Sequence, residues 1–158
     1  MRRTVLSLAV VAFAPTLARA QDTTAVEPTP HISPAIGVHY GSPMRASVAG
    51  ALLIDMSQHR NDGVVIAVEV GQRGNEVSAG YFRMLGRFGS GYSLRLAALR
   101  TTDDPWNATE NTTYVGAEAS WMIVFGVGAR VGYLRRASHS GTLDPHENVM
   151  SFSFGIGI

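Results

Sequence analysis

The sequence closes on NVMSFSFGIGI, residues 148–158. From Met150 onward no residue is charged, and two sets alternate. Met150, Phe152, Phe154, Ile156 and Ile158 share one parity; Ser151, Ser153, Gly155 and Gly157 share the other. A period of two places these sets on opposite faces of an extended strand. One face is greasy and the other nearly bare. A strand covering a water-soluble core needs polar or charged side chains on its outer face, and this one has almost none to offer.

Read backward from there, the same pattern recurs. Eight runs alternate between turn-forming breaks: residues 35–41, 46–56, 63–71, 77–86, 92–101, 112–125, 126–136 and 149–158. The breaks carry Pro, Asn, Asp and Gly, as in SPMR, HRNDG, RGN and GRFGSG, residue types that accept turn conformations. Most runs have about the 9–11 residues with which a tilted strand crosses a bilayer, although the first is short. Short alternating runs separated by turns predict an all-β fold.

The identity of each face separates a soluble barrel from a membrane one. In the sixth run Val115, Ala117, Ala119, Trp121, Ile123 and Phe125 oppose Tyr114, Gly116, Glu118, Ser120 and Met122. In the third, Val64, Ile66, Val68 and Val70 oppose Val65, Ala67, Glu69 and Gly71. In the seventh, Val127, Ala129, Val131 and Tyr133 oppose Gly128, Arg130, Gly132 and Leu134. One face is continuously apolar; the other mixes small residues with an isolated charge. Six runs carry one central charge each: Asp55, Glu69, Arg83, Arg95, Glu118 and Arg130. One charge per strand is too few to solvate an outer face. A charge facing lipid near the bilayer midplane costs about 2–4 kcal/mol. Both constraints are met if the charges point into a narrow lumen and the greasy face meets lipid.

On these grounds residues 35–158 resemble the small eight-stranded outer-membrane barrels, the OmpA- and OmpX-type transmembrane domains. The resemblance implies a closed, antiparallel, up-and-down transmembrane β-barrel in the bacterial outer membrane, with lipid and the barrel-insertion machinery as partners. It also implies that Met150, Phe152, Phe154, Ile156 and Ile158 act as a C-terminal insertion signal, although that signal usually ends in Phe rather than Ile. Long outer loops and short periplasmic turns in such barrels place residues 102–111 and 137–148 outside, where they could contact an extracellular partner.

The N-terminus agrees with export. Two Arg residues precede an apolar core of about ten residues, and Ala18-Arg19-Ala20 forms a small-x-small end. Residues 1–20 therefore read as a signal peptide. Residues 21–34, QDTTAVEPTPHISP, show no periodicity and read as a flexible leader. There is no cysteine, the basic residues are all Arg, and the formal net charge is +1. Nothing in that balance points to nucleic acid.

Glu69, Arg95, Glu118 and Arg130 share the inward parity, and His39 is a further candidate on it. Buried charges survive when paired, so these residues are expected to form a lumen ion-pair network, with Glu118 and Arg130 as the first pair. No catalytic set, metal site or cofactor is expected. Two alternatives to a structural or interaction barrel stay open. One is a lipid-modifying hydrolase resembling the lipid A deacylases, prompted by Ser138, His139, Ser140, Asp144, His146 and Glu147. There, however, His139 and Ser140 are adjacent and would face opposite ways on a strand. The other is a narrow pore or carrier, against which stands the fact that eight strands enclose an interior largely filled by side chains.

Overall fold

The eight runs form eight strands: β1 His31–Ser42, β2 Arg45–Asp55, β3 Asp62–Gly71, β4 Gly74–Met84, β5 Gly91–Thr101, β6 Thr113–Val124, β7 Val127–Arg136 and β8 Asn148–Ile156. The structure is a computed structural model describing residues 30–56, 62–85, 90–124, 126–137 and 147–157. Residues 1–20, and the leader up to residue 29, lie outside the described residues. Each strand pairs antiparallel with the next, and β8 pairs back onto β1, closing the sheet into a barrel. Closure removes the open edges that a flat sheet would expose.

Connections alternate between the two ends. One end, here the loop end, carries residues 43–44, 72–73, 102–112 and 137–147. The other, the terminal end, carries residues 56–61, 85–90 and 125–126, together with the start of β1 and the end of β8. The two longest connections thus share an end. The tight β6–β7 reversal uses Gly126 at φ 77°, a backbone region open to Gly without steric cost. A register shift between Met122 and Val124 precedes it.

The strand boundaries differ from the sequence expectation in one place that matters. β1 begins at His31, so residues 31–34 belong to the barrel and not to the leader. Pro34 argued for a leader, because proline cannot donate to a ladder. Here β1 pairs with β2 along its whole length but with β8 only from Val38 to Ser42. Pro34 sits where β1 has a neighbour on one side alone, a setting that tolerates proline.

Parity is the organising feature of every strand. Val68, Val77, Leu96, Val115, Val131, Phe152, Phe154 and Ile156 point away from the barrel axis, and Ile36 and Leu96 are each 73% exposed. Inside, apolar residues gather at both ends. Met44, Ala97, Leu99, Tyr114, Leu134 and Val149 close the loop end, with Ala108 of the 102–112 loop packed on them. Ala51, Val65, Ala67 and Phe82 fill part of the terminal end, joined by Leu53 and Met84. Polar and charged side chains occupy the layer between. Phe82 is buried and Arg83 exposed, so Arg83 faces outward, in register with Asp62. The sequence leaves two readings of Arg83, towards lipid with Tyr81 or into the lumen if Phe82 and Met84 face lipid; the lumen reading, the preferred one, is corrected by this burial pattern. Phe82 fills the apolar terminal-end cluster, and the neighbouring residue must then face out.

Candidate functional site: the polar layer of the lumen

The polar layer is built around Arg130. From β7 its guanidinium reaches across the lumen to β3 and β4, where Nη1 donates to Glu69 Oε2 at 2.7 Å and to Glu76 Oε1 at 3.4 Å. Its Nε lies 3.6 Å from Glu118 Oε2 on the neighbouring β6. One cation therefore gathers three carboxylates, and all four residues are buried. Charge-assisted contacts of this kind are the strong ones inside a protein.

Serines complete the layer. Ser47 Oγ donates to Glu69 Oε1 at 2.5 Å, and Ser151 Oγ donates to Glu118 Oε1 at 2.7 Å. Ser93 and Ser120 share a hydrogen bond across β5 and β6 at 2.7 Å. On the bare face of β8, the Ser151 hydroxyl thus serves a carboxylate borne by another strand. Gly132 works by omission. A Cβ there would collide with the side chains of Glu118 and Ser151, so the missing side chain makes room for a carboxylate rather than for an arginine stem.

Of the residues singled out from sequence, Glu69, Glu118 and Arg130 come together. His39 joins them at the edge, its Nδ1 3.4 Å from Glu69 Oε1 but without hydrogen-bond geometry. Arg95 does not join. It is inside the barrel and opposite Glu118 in register, yet among the described residues no carboxylate lies within ion-pair distance of it, and its Nε has no hydrogen-bond partner. The expected pairing of every inward charge therefore fails at Arg95. Glu118 is engaged by Ser151 and faces Arg130 instead.

Sequence reasoning missed Glu76. The stretch around RGN read as a turn, and the fourth run was begun at Val77. The turn is confined to residues 72–73, and Gly74, Asn75 and Glu76 already belong to β4. Extending the alternation of β4 back from Ser78 would have put Glu76 on the inward parity.

The interior also holds Ser47, His39 and Glu69 side by side, residue types shared with hydrolytic triads. Their arrangement is different. The serine proton is directed at the carboxylate and not at an imidazole nitrogen, and the carboxylate is bound by Arg130. Nothing here activates a hydroxyl as a nucleophile. Ser138, His139, Ser140, Asp144 and His146 lie outside the described residues. Among the described residues no group of three or more His, Asp or Glu side chains could hold a metal ion.

The loop end is closed and ordered by polar contacts. Trp106 N donates to Pro43 O at 3.1 Å, and Ser42 Oγ donates to Trp106 O at 3.0 Å. Arg45 and Arg73 both approach Asp104 Oδ2, at 3.0 and 3.4 Å. Thr101 Oγ1 donates to Thr109 O at 2.6 Å, and Thr109 N donates to the Tyr114 hydroxyl at 2.9 Å. Trp106 meets Tyr40 edge-on and lies under the Arg45 guanidinium. The 102–112 loop is thereby folded over the mouth while presenting Asp103, Asp104, Asn107, Glu110 and Asn111 to the outside.

No protein-family model matches this chain, and neither a curated protein nor a solved structure matches it.

Proposed function

We propose that this chain is a bacterial outer-membrane β-barrel with a structural or interaction role. Its lumen is filled by side chains and paired charges, and lipid surrounds its apolar outer face. The observation that carries the reading is the inversion of the usual burial pattern. Large apolar residues of every strand are exposed, while Glu69, Glu76, Glu118, Arg95 and Arg130 are buried. An apolar surface that encircles a whole domain would drive association in water; in a bilayer it is the required surface.

The distribution along the axis supports the same reading. Outward charges sit towards the two ends, Asp62 and Arg83 at one and Arg100 and Arg135 at the other. Tyr81, Tyr92 and Trp121 neighbour one another at the terminal end, and Tyr40 and Tyr133 lie nearer the loop end. Aromatic belts and snorkelling arginines belong at membrane interfaces. From Tyr92 to Arg100 β5 rises roughly 26 Å at about 3.3 Å per residue. At a tilt of about 40° that is roughly 20 Å of height, somewhat under the apolar band of about 25 Å in such barrels, and snorkelling of Arg100 extends it.

Under this reading residues 1–20 direct export, and the apolar face of β8, Met150, Phe152, Phe154 and Ile156, is what the insertion machinery recognises; Ile158 lies outside the described residues. The folded 102–111 loop offers an outer surface to a partner; of the second candidate segment, residues 137–148, residues 138–146 lie outside the described residues. A conducting role is opposed by the loop-end plug, where Leu99, Tyr114, Leu134 and Val149 have no solvent exposure.

Cell fractionation with a heat-modifiability assay tests the proposal. The folded chain is expected in the outer-membrane fraction, and its electrophoretic mobility in detergent should change on boiling. Recovery in the soluble fraction, with no mobility change, would overturn it. Loss of lipid A acyl chains in expressing cells would favour the hydrolase instead.

A further inference from the structure

The lumen is not uniformly filled. Towards the terminal end, between β1, β5, β6, β7 and β8, a cavity of about 20 Å³ is lined by His39, Arg95, Ser120, Arg130 and Ser153. Its remaining wall includes Gly128, Gly155 and Gly157, which contribute no side chain. The volume suffices for one water molecule or one ion of similar size.

The chemistry of the lining is one-sided. Arg95 and Arg130 are the permanently charged groups on it, and none of the three lumen carboxylates lines it. Arg130 turns Nη1 and Nε to its carboxylates and is itself part of the cavity wall. Arg95 is 5% exposed and, among the described residues, has no ion pair and no hydrogen bond at Nε. A guanidinium does not discharge by losing its proton, so Arg95 keeps its charge in the interior without a direct ion-pair contact among the described residues. A further orphaned polar atom belongs to a lining residue, Ser153 Oγ, and His39 Nδ1 lies 3.4 Å from Glu69 Oε1 without hydrogen-bond geometry. A hydroxyl can rotate to donate, and the imidazole can carry its proton on either nitrogen.

We propose that this cavity binds a single small inorganic anion of chloride size, held between the guanidinium groups of Arg95 and Arg130, with Ser153, Ser120 and His39 as additional donors. The anion supplies the counter-charge that no side chain gives Arg95. The lumen as a whole contains three carboxylates and two guanidinium groups, but none of the carboxylates lines the cavity. The field an ion meets in the cavity is set by the nearer cations. Polyatomic anions such as sulfate exceed the space. The inference concerns the barrel interior and does not depend on what surrounds the outside.

The test is a ³⁵Cl NMR titration of the full chain folded in detergent, at constant ionic strength with gluconate as the balancing anion. Saturable line broadening is expected, reversed by bromide and not by sulfate. Arg95→Gln should weaken binding by about tenfold or more, the loss of one charge-assisted hydrogen bond; Arg83→Gln, on the outer face, should leave it unchanged. Should Arg95→Gln not fold, Ser153→Val, which keeps both cations while filling the cavity, must weaken binding several-fold. Absence of saturable broadening in the wild type would mean that the cavity holds water and would overturn the proposal. So would affinity unchanged in Arg95→Gln or, where that variant does not fold, in Ser153→Val.

Discussion

Two sides of the same lumen treat the same side chain in opposite ways. On the side formed by β3, β4 and β7, Arg130 is 7% exposed and faces three carboxylates. On the side formed by β5, β8 and β1, Arg95 is 5% exposed and, although opposite Glu118 in register, has no carboxylate within ion-pair distance among the described residues. Burial and formal charge are equal, so neither explains the difference. Geometry does: the carboxylates of β3, β4 and β6 reach the centre from three directions, and Arg130 occupies the point where they meet. Each carboxylate then has its cation, and Arg95 is left to a different counter-charge. A buried arginine surrounded by its own counter-ions is part of the scaffold. One without them marks a place where something from outside the chain can be accommodated.

The contrast can be broken most severely at Arg130. Replacing it with Met leaves three buried carboxylates without their cation, and removing one partner of a buried pair costs about 3–5 kcal/mol. Urea unfolding in lipid vesicles should show that loss; a change under about 1 kcal/mol would mean the gathering of carboxylates is incidental. Ser151→Ala comes next. It removes the donor to Glu118 Oε1 and should cost about 1–3 kcal/mol, the range for a buried acceptor left unsatisfied, read by the same unfolding curve. Arg95→Met, measured without chloride, should change stability by less than about 1 kcal/mol, because an unpaired buried charge is exchanged for apolar volume. A loss as large as that at Arg130 would abolish the distinction between the two sides. The smallest effect belongs to Arg135→Ala. Its 3.1 Å pair with Glu147 is well exposed, so at most a few tenths of a kcal/mol are expected, vanishing at high salt.

The barrel itself was legible because alternation is a local property. Val115 to Ile123, or Met150 to Ile156, declare their faces without knowledge of any partner strand. The lumen was legible only as a set of inward residues. Which carboxylate meets which guanidinium depends on tilt and stagger, and these are properties of the closed sheet. Neighbouring strands suggested Glu118 for Arg130, whereas the shortest contact is with Glu69, across the lumen. Glu76 was hidden by turn chemistry at Gly74 and Asn75. Arg83 was misplaced because Tyr81-Phe82-Arg83-Met84 offers a plausible apolar face on either parity; Val77 and Ala79, which point outward, settle it when counted forward. The start of β1 was obscured by prolines that a strand with one free side accepts.

The seam between β1 and β8 is the barrel's last decision. It joins Val38 to Ile156 and Ser42 to Phe152, over five register pairs, fewer than any other strand pair in the sheet. The seven other pairings each join strands consecutive in the chain, and each can form once its own two strands exist. The seam must instead bring together the two extremes of the barrel, paying loop-closure entropy for nearly the whole chain and receiving the shortest ladder in return. Hairpin formation should therefore run ahead, and the rate at which the curled sheet finds its own first strand should set the pace of folding.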